Sequence, residues 1–262
     1  MSLFGLVGLE VKRRHGSERD RLNDSLDDDF NWQTYNEEYR QQLLDGSRRY
    51  TSRLSSGDYL LVDNVLTKRK DILPLPPHSL LYETILLLKP SKVMEVGCGG
   101  GDHLHNLGVL APEIETLGLD RAEAQLAFAK ERFRDIAGKI QQFDITMPFS
   151  NMLPSVDIAY TIAVLMHIQT GNGHLVALAN MFRLASKQVV LMENWTRHSF
   201  LDDIKYLFSQ GMIPWHEMHF YQRRSPDCQH RALMVVSASP LSFEPLADYS
   251  QLLPPSAEAG WV

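Results

Sequence analysis

The sequence predicts an α/β protein: a doubly wound, mostly parallel sheet of seven strands, with a C-terminal antiparallel hairpin strand and an N-terminal helical cap. Three observations carry this. Short apolar runs near 92–96, 115–120, 139–143, 156–161 and 187–193 alternate with amphipathic stretches near 102–110, 122–136, 172–184 and 199–209. Such alternation builds a parallel sheet covered by helices on both faces. The first run, Val93-Met94-Glu95-Val96, breaks into Gly97-Cys98-Gly99-Gly100-Gly101, and Asp102 then opens a helix. The last two runs, near 216–222 and 231–237, have no helix between them, which requires a hairpin and hence an antiparallel strand.

Along the chain, residues 1–29 are charged, with Arg13, Arg14, Arg19 and Arg21 ahead of Asp27-Asp28-Asp29, and hold too few apolar residues to bury a core. From Asn31 to about Tyr50, Trp32, Tyr35, Tyr39 and Leu43 recur at helical steps. Pro74-Leu75-Pro76-Pro77 ends this part. A second helix runs from His78 to Leu88, with Leu80, Leu81, Ile85 and Leu88 apolar, and Lys89-Pro90-Ser91 leads into the first strand. After Asp120, Leu126, Ala129 and Phe133 share one helical face. From Pro240 the tail, with Pro245, Pro254 and Pro255, reads as extended. The chain thus divides into an extension and cap over 1–75, a core domain over 76–239 and a tail over 240–262.

Composition narrows the class. The net charge of −6 argues against general nucleic-acid binding, which calls for a basic face. Two cysteines are too few for a disulfide framework. No apolar run reaches the roughly 18 residues of a membrane span. Met1 to Gly8 precede the charges of Lys12-Arg13-Arg14, the wrong order for a secretory signal. A cytoplasmic protein is expected, its oligomeric state open and a homodimer included.

Open α/β sheets bind nucleotides at the carboxyl end of the first strand. A dinucleotide fingerprint counted from Gly97 and Gly99 needs a small residue at 102, where Asp stands and would face an anionic pyrophosphate. A phosphate loop needs G-K-[ST] after the glycines, and none follows. What remains is Glu95 followed by Gly97-x-Gly99-x-Gly101, suited to a ligand with a cationic amine and no phosphate. A carboxylate inside an apolar strand must be hydrogen-bonded; the glycine-turn amides and a ligand amine are its expected partners. Asp120, about 20 residues past the glycine turn, suits a ribose diol. It equally suits a helix N-cap paired with Glu123. Asp144 either recognises a base or starts the turn toward Pro148. Cys98 inside the turn reads as a small buried filler.

With these residues the chain resembles the class I S-adenosylmethionine (SAM)-dependent methyltransferases over roughly residues 78–237. Val93 to Gly101 is similar to their first motif, Thr116-Leu117-Gly118-Leu119-Asp120 to the second strand, and Phe143-Asp144-Ile145 to the third-strand motif. Val156 to Tyr160 with Val164-Leu165-Met166-His167-Ile168 resembles the fourth strand and the segment after it, and Val189 to Glu193 the fifth. The resemblance implies a Rossmann-like fold and SAM as cofactor, with S-adenosylhomocysteine as product. It implies a cofactor site of Glu95, Gly97, Cys98, Gly99, Gly101, Asp120, Arg121, Asp144, Ile145 and Thr161. Within it Asp120 meets the ribose, Asp144 the adenine amino group, and the carbonyl near Thr161 the methionine amine.

Methyl transfer to a hydroxyl needs a proton acceptor, and His167, just after the fourth strand, is the candidate catalytic base, against a packing or capping role. Tyr35, Tyr39, Trp195, Arg197 and His198 are candidate substrate residues, with Trp215 a further rim aromatic. His216 and His219 on a strand would face opposite sides, so no metal is expected. The expected function is methyl transfer to a small molecule, at a hydroxyl of a sugar or other polar metabolite. An amine acceptor and a non-catalytic SAM-binding module are the alternatives. A nicotinamide-dependent oxidoreductase is disfavoured by Asp102 and by the terminal hairpin.

Overall fold

The computed structural model describes residues 32–44, 54–55, 59–63, 65–68, 76–169, 171–195, 197–225, 228–244 and 246–248. In chain order the elements are α1 (Trp32–Leu44), β1 (Tyr59–Val62), β2 (Val65–Lys68), α2 (Pro76–Leu88), β3 (Lys92–Val96), α3 (Asp102–Leu110), β4 (Glu115–Asp120), α4 (Glu123–Arg132), β5 (Ile140–Gln142) and β6 (Val156–Ile162). A 3₁₀ turn at Leu165–His167 follows, then α5 (Gly173–Leu184), β7 (Ala185–Met192), α6 (Phe200–Ser209), β8 (His219–Ser225), β9 (Cys228–Ser237) and β10 (Ala247–Asp248).

The main sheet has the order β10-β8-β9-β7-β6-β3-β4-β5. The strands β5, β4, β3, β6 and β7 are parallel; β9 pairs antiparallel with β7 on one side and with β8 on the other. The chain leaves β3 toward β4 and β5, then returns to β6 on the other side of β3. That reversal is the switch point at which such sheets form a crevice.

Alternation along the central strands sends Met94, Ala159, Val189, Leu191, Met234 and Val236 into a core shared with α5 and α6. Val93, Ile158, Tyr160, Val190, Leu233 and Val235 face a second core with α2 and α3. A third cluster, including Cys98, Leu104, Leu126, Ala129 and Phe133, packs between α3 and α4. Each fully buried side chain of this size contributes about 1.5–3 kcal/mol, so both sheet faces are strongly specified. Lys130 and Arg132 sit in the last turn of α4, where cations complement the helix dipole.

The seven-stranded doubly wound sheet is present, with one addition. The tail expected to be extended contributes the two-residue β10, which pairs antiparallel with Gln222 and Tyr221 of β8. The antiparallel β9 lies inside the sheet rather than at its edge. The β1–β2 hairpin, with Asp63 in its turn at φ 50°, was not anticipated from the sequence. It docks on α2 through the Leu66 amide, which donates to Glu83 Oε1 at 3.0 Å. Glu83 also pairs at 2.9 Å with Arg223 of β8, whose guanidinium donates to Thr84 Oγ1 at 3.1 Å. Among the described residues, no helix is long and apolar enough to cross a membrane.

Gly118 is the tightest place in the β4–α3 contact. A Cβ there would stand 2.5 Å from Leu104 Cδ1 and 2.9 Å from Cys98 Sγ. Gly118→Ala therefore overpacks the cluster and costs about 1–3 kcal/mol, read as a lower midpoint in urea with an unchanged slope.

Candidate active site

The carboxyl ends of β3 and β6 flank the switch point, and backbone geometry fixes both. Gly97, Gly99 and Gly101 all have positive φ, at 77°, 49° and 79°. They differ in what a side chain would meet. At Gly97 a Cβ would run into the Val164 side chain, and at Gly101 into Ile136. At Gly99 the nearest atom, Gln125 Oε1, would be 3.9 Å away, an ordinary contact, so this position is uncrowded, as backbone approached by a ligand should be.

Asp120, at the end of β4, holds the turn. Its Oδ2 accepts from the Gly99 amide and its Oδ1 from the Ala122 amide, each at 2.8 Å. The N-cap of α4 is Ala122, with no side-chain cap, so the alternative capping-box reading does not form. Each carboxylate oxygen retains a lone pair for a ribose hydroxyl. Burial raises the Asp120 pKa despite these two amides. Asp144 uses Oδ1 for both the amide and the hydroxyl of Thr146, at 2.9 and 2.7 Å. Its carboxylate lies near enough to Asp120 to raise that group's pKa further. Ile145 is buried, and Asn180 ties its carbonyl in place at 2.8 Å. Arg121 is exposed; its carbonyl accepts from Gln142 Nε2, and its charge partly offsets the rise at Asp120.

Glu95 is buried at 1% exposure and accepts a hydrogen bond at 3.2 Å from Tyr160 Oη, its register partner on β6. The amides of Gly97 and Cys98 donate to the Leu119 carbonyl at 2.7 and 2.9 Å. The turn therefore leans on β4, and Tyr160 takes the place the sequence reading gave to those amides. Burial holds the Glu95 carboxyl well above the ordinary range, and an approaching cation would restore its charge. Cys98 points into the cluster under α3, where burial pushes its thiol pKa up, consistent with a filler. Asp102 does not face the cleft as a bare charge. Arg132 grips both its oxygens at 2.6 and 2.7 Å, which removes the electrostatic objection raised from the sequence against an anionic ligand there.

On the β6 side, a single carboxylate organises the loop. Glu193, fully buried just past β7, accepts from Thr161 Oγ1 at 3.1 Å and from the amides of Val164 and Met166 at 3.0 Å each. Ala163, between them, holds a positive φ of 53°. This clasp fixes Val164 against Gly97 and fixes the turn that ends in His167. Thr161 is fully buried, and the His167 amide donates to the Val164 carbonyl at 3.0 Å.

Of the candidate substrate residues, Trp195 packs against the core and Arg197 is exposed beyond it. His198 stacks on His174, the first turn of α5, at 4.1 Å and 12°. Asp203 of α6 lies 3.7 Å from His174 Nε2. Tyr35 is half-buried on α1, which meets α4 through Arg40, 3.3 Å from Glu131. The side chains of Trp32 and Tyr39 lie outside the described residues. Trp215 belongs elsewhere: its indole donates to the Ala185 carbonyl at the amino end of β7, opposite the crevice. Sequence reasoning did not single out Tyr82, Tyr160, Arg132 or His174, and it gave His103, at the start of α3, only a helix-terminus hydrogen-bonding role. Of these only Tyr160 carried a local signal, its place in the strand beside Glu95.

Comparisons agree with this geometry. Residues 94–191 match the sequence model of a family described as a methyltransferase domain. No curated protein sequence matches the chain. Among solved structures, a TehB-like SAM-dependent methyltransferase from Corynebacterium glutamicum is 16% identical and shares the fold at a TM-score of 0.50, over 79% of this chain and 97% of that one. DesVI from Streptomyces venezuelae is 21% identical over 45% of this chain and 50% of its own, with a TM-score of 0.37. CalS10, an amino pentose methyltransferase from Micromonospora echinaspora, is 20% identical over 43% and 48%, with a TM-score of 0.37. The chain thus spans about half the length of the latter two. Residues 94–191 thus match a methyltransferase domain, and the sheet has the Rossmann-like fold of the Corynebacterium glutamicum protein.

Two expectations follow. Asp120→Ala should weaken SAM binding by at least about tenfold, since two charge-assisted hydrogen bonds of roughly 1.5–3 kcal/mol each are at stake; unchanged affinity by calorimetry would remove Asp120 from the ribose site. Burial raises the Glu193 pKa to about 7, from 4.5 in the open chain, against the opposing pull of its amide donors. The folded state therefore binds this proton more tightly than the unfolded one. Its contribution is present in full below about pH 4.5 and is lost as pH rises through about 7. The loss amounts to about 3 kcal/mol at the conversion of 1.36 kcal/mol per pH unit. Glu193→Gln should flatten the fall of the melting temperature between those two pH values. An identical profile in wild type and variant would show that the carboxyl does not titrate there.

Proposed function

We propose that the protein transfers the SAM methyl group to a hydroxyl of a polar small molecule such as a sugar. The observation that carries this is the set of imidazoles on the loops at the carboxyl ends of β6 and β7: His167 ends the 3₁₀ turn, His174 opens α5 and His198 follows β7, the last two stacked at 4.1 Å. A hydroxyl acceptor must lose a proton as its oxygen attacks, and a neutral imidazole suits that task.

SAM supplies a methyl group on a positively charged sulfur. In this reading Asp120 accepts from both ribose hydroxyls, and the free edge of Asp144 meets the adenine amino group. Ile145 and Phe143 pack against the base, with Arg121 at the rim. Gly97, Cys98, Gly99 and Gly101 form the backbone floor. Glu95 and the carbonyl of Thr161 face the methionine amine. With SAM bound, the loops at the ends of β6 and β7 would hold the acceptor hydroxyl in line with the methyl group that the cofactor supplies, and His167 would take the hydroxyl proton. Trp195, Arg197 and His198 line the acceptor side, and α1 caps it, with Tyr35 facing the substrate.

If His167 is the base, His167→Ala should lower kcat about 100-fold or more and leave SAM affinity nearly intact. Release of S-adenosylhomocysteine is the readout, with an acceptor found by screening hydroxylated and amino metabolites. Wild-type kcat should rise with pH as the base loses its proton, and the variant should lose that limb. Near-normal kcat in the variant would return His167 to a packing role and favour an amine acceptor, which needs no base.

A further inference from the structure

A hydrogen-bond chain outside the expected site fixes the protonation of one imidazole beside the glycine turn. The Leu54 amide donates to Asn106 Oδ1 at 2.9 Å, which orients that side-chain amide. Asn106 Nδ2 must then donate to Tyr82 Oη at 3.0 Å. The phenol's own proton is directed to His103 Nδ1, 2.8 Å away. A ring nitrogen that accepts leaves the other to carry the hydrogen, so His103 is the Nε2–H tautomer. Burial lowers its pKa to about 4, so the ring is neutral across the working range. Its Nε2 makes no hydrogen bond among the described residues, and His78 meets the ring edge-on at 4.6 Å.

The surroundings suit an anion. His103 lies in the first turn of α3, two residues past Gly101, and that helix start has no side-chain cap. The one carboxylate at the helix start, Asp102, is gripped at both oxygens by Arg132. Tyr82, the partner of His103, lies within electrostatic reach of Glu95. Glu95, through Tyr160, belongs to the same face of the sheet. An α-amino acid carries its ammonium and carboxylate on one carbon. A group that meets the carboxylate must therefore stand next to the group that meets the amine.

We propose that His103 donates its Nε2–H to the carboxylate of the cofactor's methionine portion, beside the amine faced by Glu95, and so selects ligands that carry the whole amino-acid end. Tyr82 and Asn106 act as positioning residues that hold the donor tautomer. The proposal rests on the SAM reading of the glycine turn.

Calorimetry on the full chain with two ligands separates the proposal from that reading: S-adenosylhomocysteine, and 5′-methylthioadenosine, which keeps the adenosine and the sulfur but lacks the amino acid. His103→Phe keeps an aromatic ring against His78. It should weaken S-adenosylhomocysteine about tenfold, the scale of one charge-assisted hydrogen bond, and leave 5′-methylthioadenosine within about twofold. Tyr82→Phe releases the tautomer and should weaken S-adenosylhomocysteine about threefold, again sparing the shorter ligand. Equal weakening of both ligands, or of neither, overturns the proposal while leaving the cofactor site standing. A wild-type protein that binds neither ligand overturns both. Nitrogen-15 spectra of the wild type give a test without substitution: protonated Nε2 with bare Nδ1 is expected, and the opposite tautomer or an imidazolium refutes the assignment.

Discussion

The backbone at Gly97 runs so close to the Val164 side chain that any Cβ would collide with it, and the two loops flanking the switch point are locked together by that contact. Everything at the site hangs from this lock. On one side Asp120 ties Gly99 to the end of β4. On the other, Glu193 ties Val164 and Met166 to the end of β7. Strands β3, β4, β6 and β7 thus each place one end at a common point, and the spacing between them is set by backbone rather than by flexible side chains. A site of this kind is preorganised, because its donors and acceptors are fixed before any ligand arrives.

Two buried carboxyls share the cost of that arrangement. Glu95 and Glu193 both stand where burial disfavours their charged forms. They differ in what they hold. Glu193 is surrounded by protein donors and acts as an internal fastener. Glu95 has a single phenol at 3.2 Å and retains acceptor capacity. Removing the first loosens a loop, whereas removing the second leaves the loops in place and takes away only the partner of Tyr160.

Much of this was legible in the sequence where the signal is local. The glycine run, the carboxylate at the end of β4 and the helix-free gap between β8 and β9 are each set by a few adjacent residues, and strand β3 and helix α3 begin and end where the pattern placed them. What escaped depends on contacts between distant segments. Arg132 neutralises Asp102 from 30 residues away, and Leu54 reaches Asn106 across 52. Nothing in the neighbourhood of either residue announces its partner. The β1–β2 hairpin was missed for a related reason: its four-residue strands expose Val62 and Val65 and show no strong alternation. Trp215 illustrates the converse error, since an aromatic late in the chain looks the same at either end of a sheet until the topology is known.

The Arg223–Glu83 pair joins residues 140 positions apart, and this bears on how the chain is made. At roughly 5–20 residues per second, Glu83 emerges from the ribosome between about 7 and 28 seconds before its partner exists. During that interval α2 has neither β8 nor β9 to cover it, and the apolar face formed by Leu80, Leu81 and Ile85 stands open. The β8–β9 hairpin is therefore the last part of this core to be made, and until residue 223 emerges the share of the α2 face that it covers is open to chaperones.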